Sequence, residues 1–279
     1  MVNMSEISQY TPLDIGRIAS LPGRKLLGLF LEVENKPGVL AKISRVLADM
    51  HINILYVTIT TPVREVKPTV PILMFVDITN SVASVKDIVE SLSSLDIVRK
   101  VQVSKPIWDG VLADVYHFPI VVDEVRAIII VLPVLEGLIA VIQRHEGLRA
   151  LLWYQGLEVG IRVTRMYRTL YSVKTLRDLL KLFQVRALSM GWARVEIIKV
   201  DEVTGTVVLR MYDNWECSII KSWGPKDKPQ NTFIRGLIAG MLKEFYGVDY
   251  EVIETKCIAK GDPYCELHAR PRIPKVMSR

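Results

Sequence analysis

Three cysteines and four histidines in 279 residues leave little material for the chemistry that usually marks a sequence. Three thiols make no disulfide framework, and their scarcity fits a reducing compartment. His51, His117, His145 and His268 stand apart, none in a metal-binding helical pair or beside a nucleophile elbow. Long apolar runs are missing too. The most apolar stretch, Ile128 to Ile142, is too short to span a bilayer and is broken by Pro133, Glu136 and Gly137. The scattered glycines form no phosphate-cradling loop between a strand and a helix, so neither a dinucleotide fingerprint nor a flavin motif supplies hydride. Dense Lys/Arg patches are lacking as well: the net charge of +6 divides as about +2 over residues 1–105 and about +4 beyond. That spread excludes a nucleic-acid footprint. The opening residues, with Asn3 and Glu6, lack the basic-then-apolar order of a secretory signal. Cytoplasmic residence, with neither a membrane nor a nucleic acid as partner, is the expectation.

What is present describes a well-cored protein. Half the residues are hydrophobic and 24% are charged, in a chain long enough for two domains. Residues 1–23 read as a leader ending at the turn Leu21-Pro22-Gly23. Then come a strand (26–34), a turn at Asn35-Lys36-Pro37-Gly38, a helix carrying Val39, Ile43, Val46 and Leu47, and a strand at 54–60. After a loop at 61–71, in which Arg64 to Pro68 reads as a solvated excursion, follow a strand (72–79), a helix (84–93) and a strand (97–103). This is the β-α-β-β-α-β order of a ferredoxin-like unit, placed at residues 24–105. A linker at 106–119 leads to an α+β region at 120–270 and a tail at 271–279. In that region the periodicity predicts strands at 126–132 and 148–154, a turn at Gly156, and helices at 133–147, 157–170, 175–190 and 232–246. Further strands fall at 192–201, 205–212, 249–257 and 264–269.

The tail motif Glu254-x2-Cys257-x3-Gly261-Asp262-x2-Cys265 gathers two thiols and a carboxylate. Gly261-Asp262 is a turn that folds Cys265 back beside Cys257. Zinc, a Cys257–Cys265 disulfide and reduced structural cysteines are the three readings that fit. Trp153, Tyr154, Phe183, Trp192 and Trp215 either fill a core or line an apolar pocket. Arg162, Arg165 and Arg168 recur on one helix, as suits either a solvated face or an anion-contacting stripe, and the solvated face is the expectation.

Asn35-Lys-Pro37-Gly38-Val39-Leu40-Ala41 and His51-Ile-Asn53-Ile54 resemble the ACT domain, a small regulatory module, over roughly residues 24–104. The resemblance implies a homodimer formed by side-by-side pairing. It also implies an amino acid bound at the shared interface by Asn35, Gly38, Val39, Leu40, Asn53 and Ile54. Gly236-Leu-Ile-Ala-Gly240, together with the tail motif, resembles the 4-vinyl reductase domain, whose fold is shared with ligand-binding sensors and vesicle-tethering subunits. Here Gly236, Gly240 and Gly261 are structural glycines. In sensor members zinc is held by the tail's Glu and two Cys, which correspond to Glu254, Cys257 and Cys265, and by a cysteine at the start of the glycine-bearing helix. That fourth position falls near Asn231, and the sequence offers no evident replacement: Cys217 lies fourteen residues earlier, on or just after a strand, and His268 falls on the opposite face of the last strand.

Taken together, the sequence points to a regulatory or small-molecule-sensing protein that is not an enzyme. Its first domain dimerises and binds an amino acid; its second binds a small apolar ligand or a partner protein, with zinc as the one cofactor considered. An enzyme or accessory of tetrapyrrole vinyl chemistry and a non-enzymatic scaffold are the alternatives.

Overall fold

The computed structural model describes residues 10–60 and 66–272. Residues 1–9 of the expected leader, 61–65 of the expected loop and 273–279 of the expected tail lie outside those described. The chain forms two compact units that divide between Ile129 and Ile130.

The first unit contains β1 (Ile18–Ser20), β2 (Leu26–Glu34), α1 (Val39–Asp49), β3 (Asn53–Ile59), β4 (Thr69–Asp77), α2 (Val85–Ser93), β5 (Val98–Ser104), β6 (Val111–Ala113), β7 (Ile120–Val122) and β8 (Val125–Ala127). The four long strands form an antiparallel sheet in the order β3-β4-β2-β5. Alternate residues of β2, from Leu27 to Val33, pack under α1 and α2 against Ile43, Leu47, Ile88 and Leu92. The other sheet face is covered as well. Leu26, Leu73 and Phe75 meet Leu112 of β6, flanked by Phe30, Tyr56 and Tyr116. This double burial explains why β4 reads as a nearly unbroken apolar run. The cover is tied down by polar contacts. Asp114 pairs with Arg17 at 3.3 Å and with His117 Nδ1 at 2.9 Å, and His117 Nε2 lies 3.1 Å from Thr60 Oγ1.

The second unit contains α3 (Leu132–Arg144), α4 (Glu146–Tyr171), α5 (Leu176–Ser189), β9 (Arg194–Asp201), β10 (Thr206–Tyr212), α6 (Trp215–Ser222), α7 (Phe233–Tyr246), β11 (Tyr250–Lys256), a 3-10 turn (Ile258–Lys260) and β12 (Cys265–Pro271). Its antiparallel sheet runs β11-β12-β10-β9. The α+β class holds, with two local corrections. The strand expected at 148–154 and the turn at Gly156 belong instead to the single 26-residue helix α4. The strand expected at 126–132 shrinks to β8 and ends before Ile128.

Glycine is the reason α4 looks broken in the sequence. A Cβ at Gly156 would stand 2.1 Å from the Phe233 carbonyl oxygen, and one at Gly160 2.1 Å from that of Leu237. Reciprocally, a Cβ at Gly236 would meet Trp153 O at 2.1 Å, and one at Gly240 would meet Leu157 O at 2.0 Å. Two i, i+4 glycine pairs thus let α4 and α7 touch backbone to backbone. Side chains lock the far end: Arg165 pairs with Glu244 at 3.0 Å, and Arg168 donates to the carbonyls of Glu244 and Phe245. All three arginines of the expected solvated face stay exposed, Arg165 and Arg168 while gripping α7 and Arg162 while pairing with Glu158 on its own helix.

Gly240→Ala is expected to cost about 3 kcal/mol, because a methyl group has no room against the backbone of α4. Gly137→Ala, where a Cβ meets nothing within 4 Å, is expected to stabilise by about 0.5–1 kcal/mol through helix propensity. Denaturant unfolding of the two variants measures both, and equal effects would contradict the interlock.

Candidate metal centre

The second unit brings Cys217, Glu254, Cys257 and Cys265 together, with their ligand atoms all within 4.8 Å of one another and all four residues buried. Each comes from a different local structure. Glu254 lies on β11, where the pleat turns it inward between exposed Ile253 and Thr255. Cys257 follows at the strand end, where the Asp262 carboxylate accepts from its backbone N–H at 2.8 Å and fixes the turn. Gly261 closes that turn at φ +99°, a conformation suited to glycine. The chain then returns as β12, which begins with Cys265.

The fourth member corrects the sequence expectation. Cys217 lies on α6, the helix just after β10, and it brings to the cluster a third thiol where the sequence offered no evident replacement for the one missing near position 231. Its Sγ is 3.5 Å from Cys257 Sγ and 4.0 Å from a Glu254 oxygen. Asn214 starts this helix by accepting from the Cys217 N–H at 3.0 Å, and its amide donates to Cys265 Sγ at 3.1 Å. Asn231, buried beside Glu254, donates to it and supplies no sulfur. His268 turns to Glu266 outside the cluster, at 3.1 Å.

All three cysteines are free thiols, so the Cys257–Cys265 disulfide is absent from this structure. Their protons are strongly shared. Cys257 is pulled down to about 2, first by its contact with Cys217 and then by Cys265. The Cys217 thiol is pushed up by its hydrogen bonds to Cys257 and Cys265 and by burial. For Cys265 the contact with Cys217 pulls down, but Cys257 and burial outweigh it and the thiol rises. Burial, then the negative Cys257, raises Glu254 to about 8. These are the marks of too many anionic donors sharing one dry space.

A divalent cation resolves that crowding. Tetrahedral zinc with three thiolates and one carboxylate has ligand–ligand edges of about 3.5–3.8 Å; the Cys217 and Cys257 sulfurs already lie 3.5 Å apart, and the other ligand atoms, up to 4.8 Å from one another, would draw inward on a bound ion. The donor set fits zinc. Four protein ligands leave no open position for water, as in structural sites.

The other predicted residues fall in two places. In the first unit, Gly38 takes φ +87° at the start of α1, no side chain caps that helix, and a Cβ there meets nothing within 4 Å. Leu40 is exposed, Val39 is buried, and the Asn35 amide is engaged with Lys67 O at 3.0 Å. Asn53 and Ile54 begin β3 at the opposite end of the sheet. Asn53 shares a row with Asp77 and Leu26, whereas Glu34, just before the Gly38 turn, pairs with Thr69. About eight strand residues separate those rows, on the order of 25 Å. One chain does not bring the six residues together.

The predicted aromatic pocket is a packed core: Phe183 and Trp215 are buried, and Trp192, Trp215 and Phe233 stack edge to face at 5.5–6.5 Å. Tyr154 is exposed. An open cleft of about 400 Å³ does exist, lined by Arg17, Phe118, Arg126 and Ile128, but it belongs to the first unit and is remote in sequence from these residues.

Comparison with known proteins agrees with this architecture. Residues 28–96 match the ACT domain and residues 207–271 the 4-vinyl reductase domain. The chain carries an N-terminal ACT domain followed by a 4-vinyl reductase domain. Among solved structures it is similar to the phenol-responsive sensory domain of the transcription activator PoxR with phenol, at 20% identity and TM-score 0.48, over 53% of this chain and 78% of that one. A vinyl-4-reductase family protein from Methanocaldococcus jannaschii matches at 21% identity and TM-score 0.37, over 53% and 85%. A trafficking protein particle complex subunit 3 from Naegleria fowleri, covalently bound to palmitic acid, matches at 15% identity and TM-score 0.38, over 50% and 92%. No curated protein matches. Among the described residues no helix is long and apolar enough to cross a membrane.

Cobalt(II) added to metal-free protein is expected to give an intense thiolate-to-metal absorption band. Cys217→Ser should lower its intensity by about one third, as one thiolate of three is removed. An unchanged band would exclude Cys217 as a ligand.

Proposed function

We propose that the protein is a ligand-responsive regulator whose ACT unit binds an amino acid between two copies of the chain. In this reading the 4-vinyl reductase unit, braced by zinc, binds a small apolar ligand or a partner protein. The observation that carries the reading is the Gly38 turn. An eleven-residue helix begins there without a side-chain cap and without an acidic residue in its first turn, and open space lies in front of Gly38. Free N–H groups and the positive end of a helix dipole suit a carboxylate.

The separation of Asn53 and Ile54 from that turn supports the dimer. Two copies placed side by side would set the strand start of one against the Gly38 turn of the other, completing a site that one chain holds in halves. Because Asn35 is committed to its own loop and Val39 to the core, the ligand would meet the Gly38 backbone and Leu40 of one copy and Asn53 and Ile54 of its partner. Zinc, when bound, would supply a cross-link among α6, β11, the 3-10 turn and β12. It would hold the 4-vinyl reductase unit in one shape.

Calorimetric titration with the twenty amino acids should find a binder with one site per Gly38 turn, and native mass spectrometry should report a dimer. Gly38→Val should abolish that binding, because a β-branched residue at φ +87° is strained by about 1–3 kcal/mol and projects into the carboxylate position. The cobalt spectrum should stay as in the parent. Retained amino-acid affinity in a folded Gly38→Val protein would defeat this binding mode.

A further inference from the structure

Asn231 stands where the resemblance placed a fourth thiol, and its side chain is not idle there. It is 1% exposed. Its backbone N–H donates to one oxygen of Glu254 at 2.9 Å, and its side-chain Nδ2 donates to the other at 2.6 Å. The carboxylate accepts only, so the amide must turn its NH2 toward Glu254. Its Oδ1 then faces away, buried and without a hydrogen-bond partner. An orphaned buried carbonyl opposes folding. The chain bears that cost in order to aim two donors at one carboxylate.

We infer that Asn231 is the positioning residue of the metal centre, holding Glu254 as a one-oxygen ligand while Cys217 supplies the third sulfur. The inference rests on the reading that the cluster binds a divalent metal. Each carboxylate oxygen has a second lone pair once Asn231 has taken the first. The oxygen bound by Nδ2 is the one 4.0 Å from Cys217 Sγ, so its free lone pair lies on the sulfur side of the site. With both oxygens pinned, Glu254 is held against rotation out of the cluster and against closing on the metal through both oxygens.

The backbone on either side makes Asn231 a firm support. Its own carbonyl accepts from Arg235 one turn later, and the next three residues give their N–H groups to Glu216. Donors that orient a metal ligand typically change affinity about 10–100-fold when removed.

The test is competition titration of zinc against a chromophoric chelator, together with the absorption spectrum of the cobalt(II) protein, for the parent, Asn231→Ala and Asn231→Leu. The Leu variant keeps the branched shape of Asn without its hydrogen-bonding groups and serves where truncation opens a cavity. Both should weaken zinc binding about 10–100-fold and move the cobalt d–d bands as the carboxylate shifts. The thiolate band should keep its three-sulfur intensity. In combination with Glu254→Gln, Asn231→Ala should add nothing further, since both act on one ligand. Parent-like zinc affinity and d–d bands would overturn the inference, even with a lowered unfolding midpoint in metal-free protein, because that outcome is a purely structural role. Additive losses in the double variant would overturn it as well. A parent protein that takes up neither metal would sink the metal reading itself, and this inference with it.

Discussion

The carboxylate of Glu216 fixes where α7 begins. It is fully buried, and it accepts the backbone N–H groups of Thr232, Phe233 and Ile234 at 2.9–3.0 Å. Gln143 on α3 adds a fourth donor at 3.0 Å. Burial pushes this carboxyl up, and the three N–H bonds offset only part of that rise. A helix N-terminus is the environment in which a buried anion is best tolerated. The consequence is positional. Cys217 follows Glu216 directly, and Asn231 directly precedes the residues it caps. This one buried contact therefore places Cys217 on one side and Asn231, which donates to Glu254, on the other.

Helix α7 is then constrained along its length as well as at its start. The four glycines allow its backbone to lie against α4 so closely that no methyl fits between them, and Arg165 and Arg168 grip its C-terminal end. Close packing makes such a contact all-or-none. The helix cannot slide by a fraction of a turn without a steric clash. The strand that follows, β11, carries Glu254 and leads into Cys257, so its register inherits the placement of α7. The packing of these elements brings the four ligand groups together.

Local pattern makes much of this legible, and the exceptions have a common cause. The βαββαβ order follows from hydrophobic period and turn chemistry, because each of those elements is specified by its own residues. Helix α4 is not legible as one piece. Gly156 looks like a break when read locally, and its reason lies far along the chain on α7, in the carbonyl of Phe233. Cys217 escapes for a similar reason. A signal is present: Asn214 is a strong helix-starting residue, and Glu216 sits in the first turn that follows. The segment reads instead as the end of a strand because it runs directly from β10 towards a long polar stretch. Spacing finds ligands that share a turn, such as Cys257 and Cys265; it does not find one that arrives from a distant element. The residues expected to meet an amino acid illustrate the same limit, since the separation of Gly38 from Asn53 by the length of the sheet is a property of register and not of motif.

Charge explains why a cysteine on α6 and an asparagine before α7 belong together. Three thiolates and one carboxylate carry −4, and a divalent ion leaves −2 in a buried volume. A further anion at position 231 would deepen that excess where solvent cannot offset it. A neutral amide does the opposite, because it turns two N–H dipoles toward the carboxylate. The same logic appears at Cys265, whose sulfur accepts from the Asn214 amide and the Ile258 backbone at 3.1 and 3.4 Å. Hydrogen-bond donors thus face the cluster at both Glu254 and Cys265. Once Cys217 provides the third sulfur, position 231 needs a donor instead of a ligand, and asparagine supplies one.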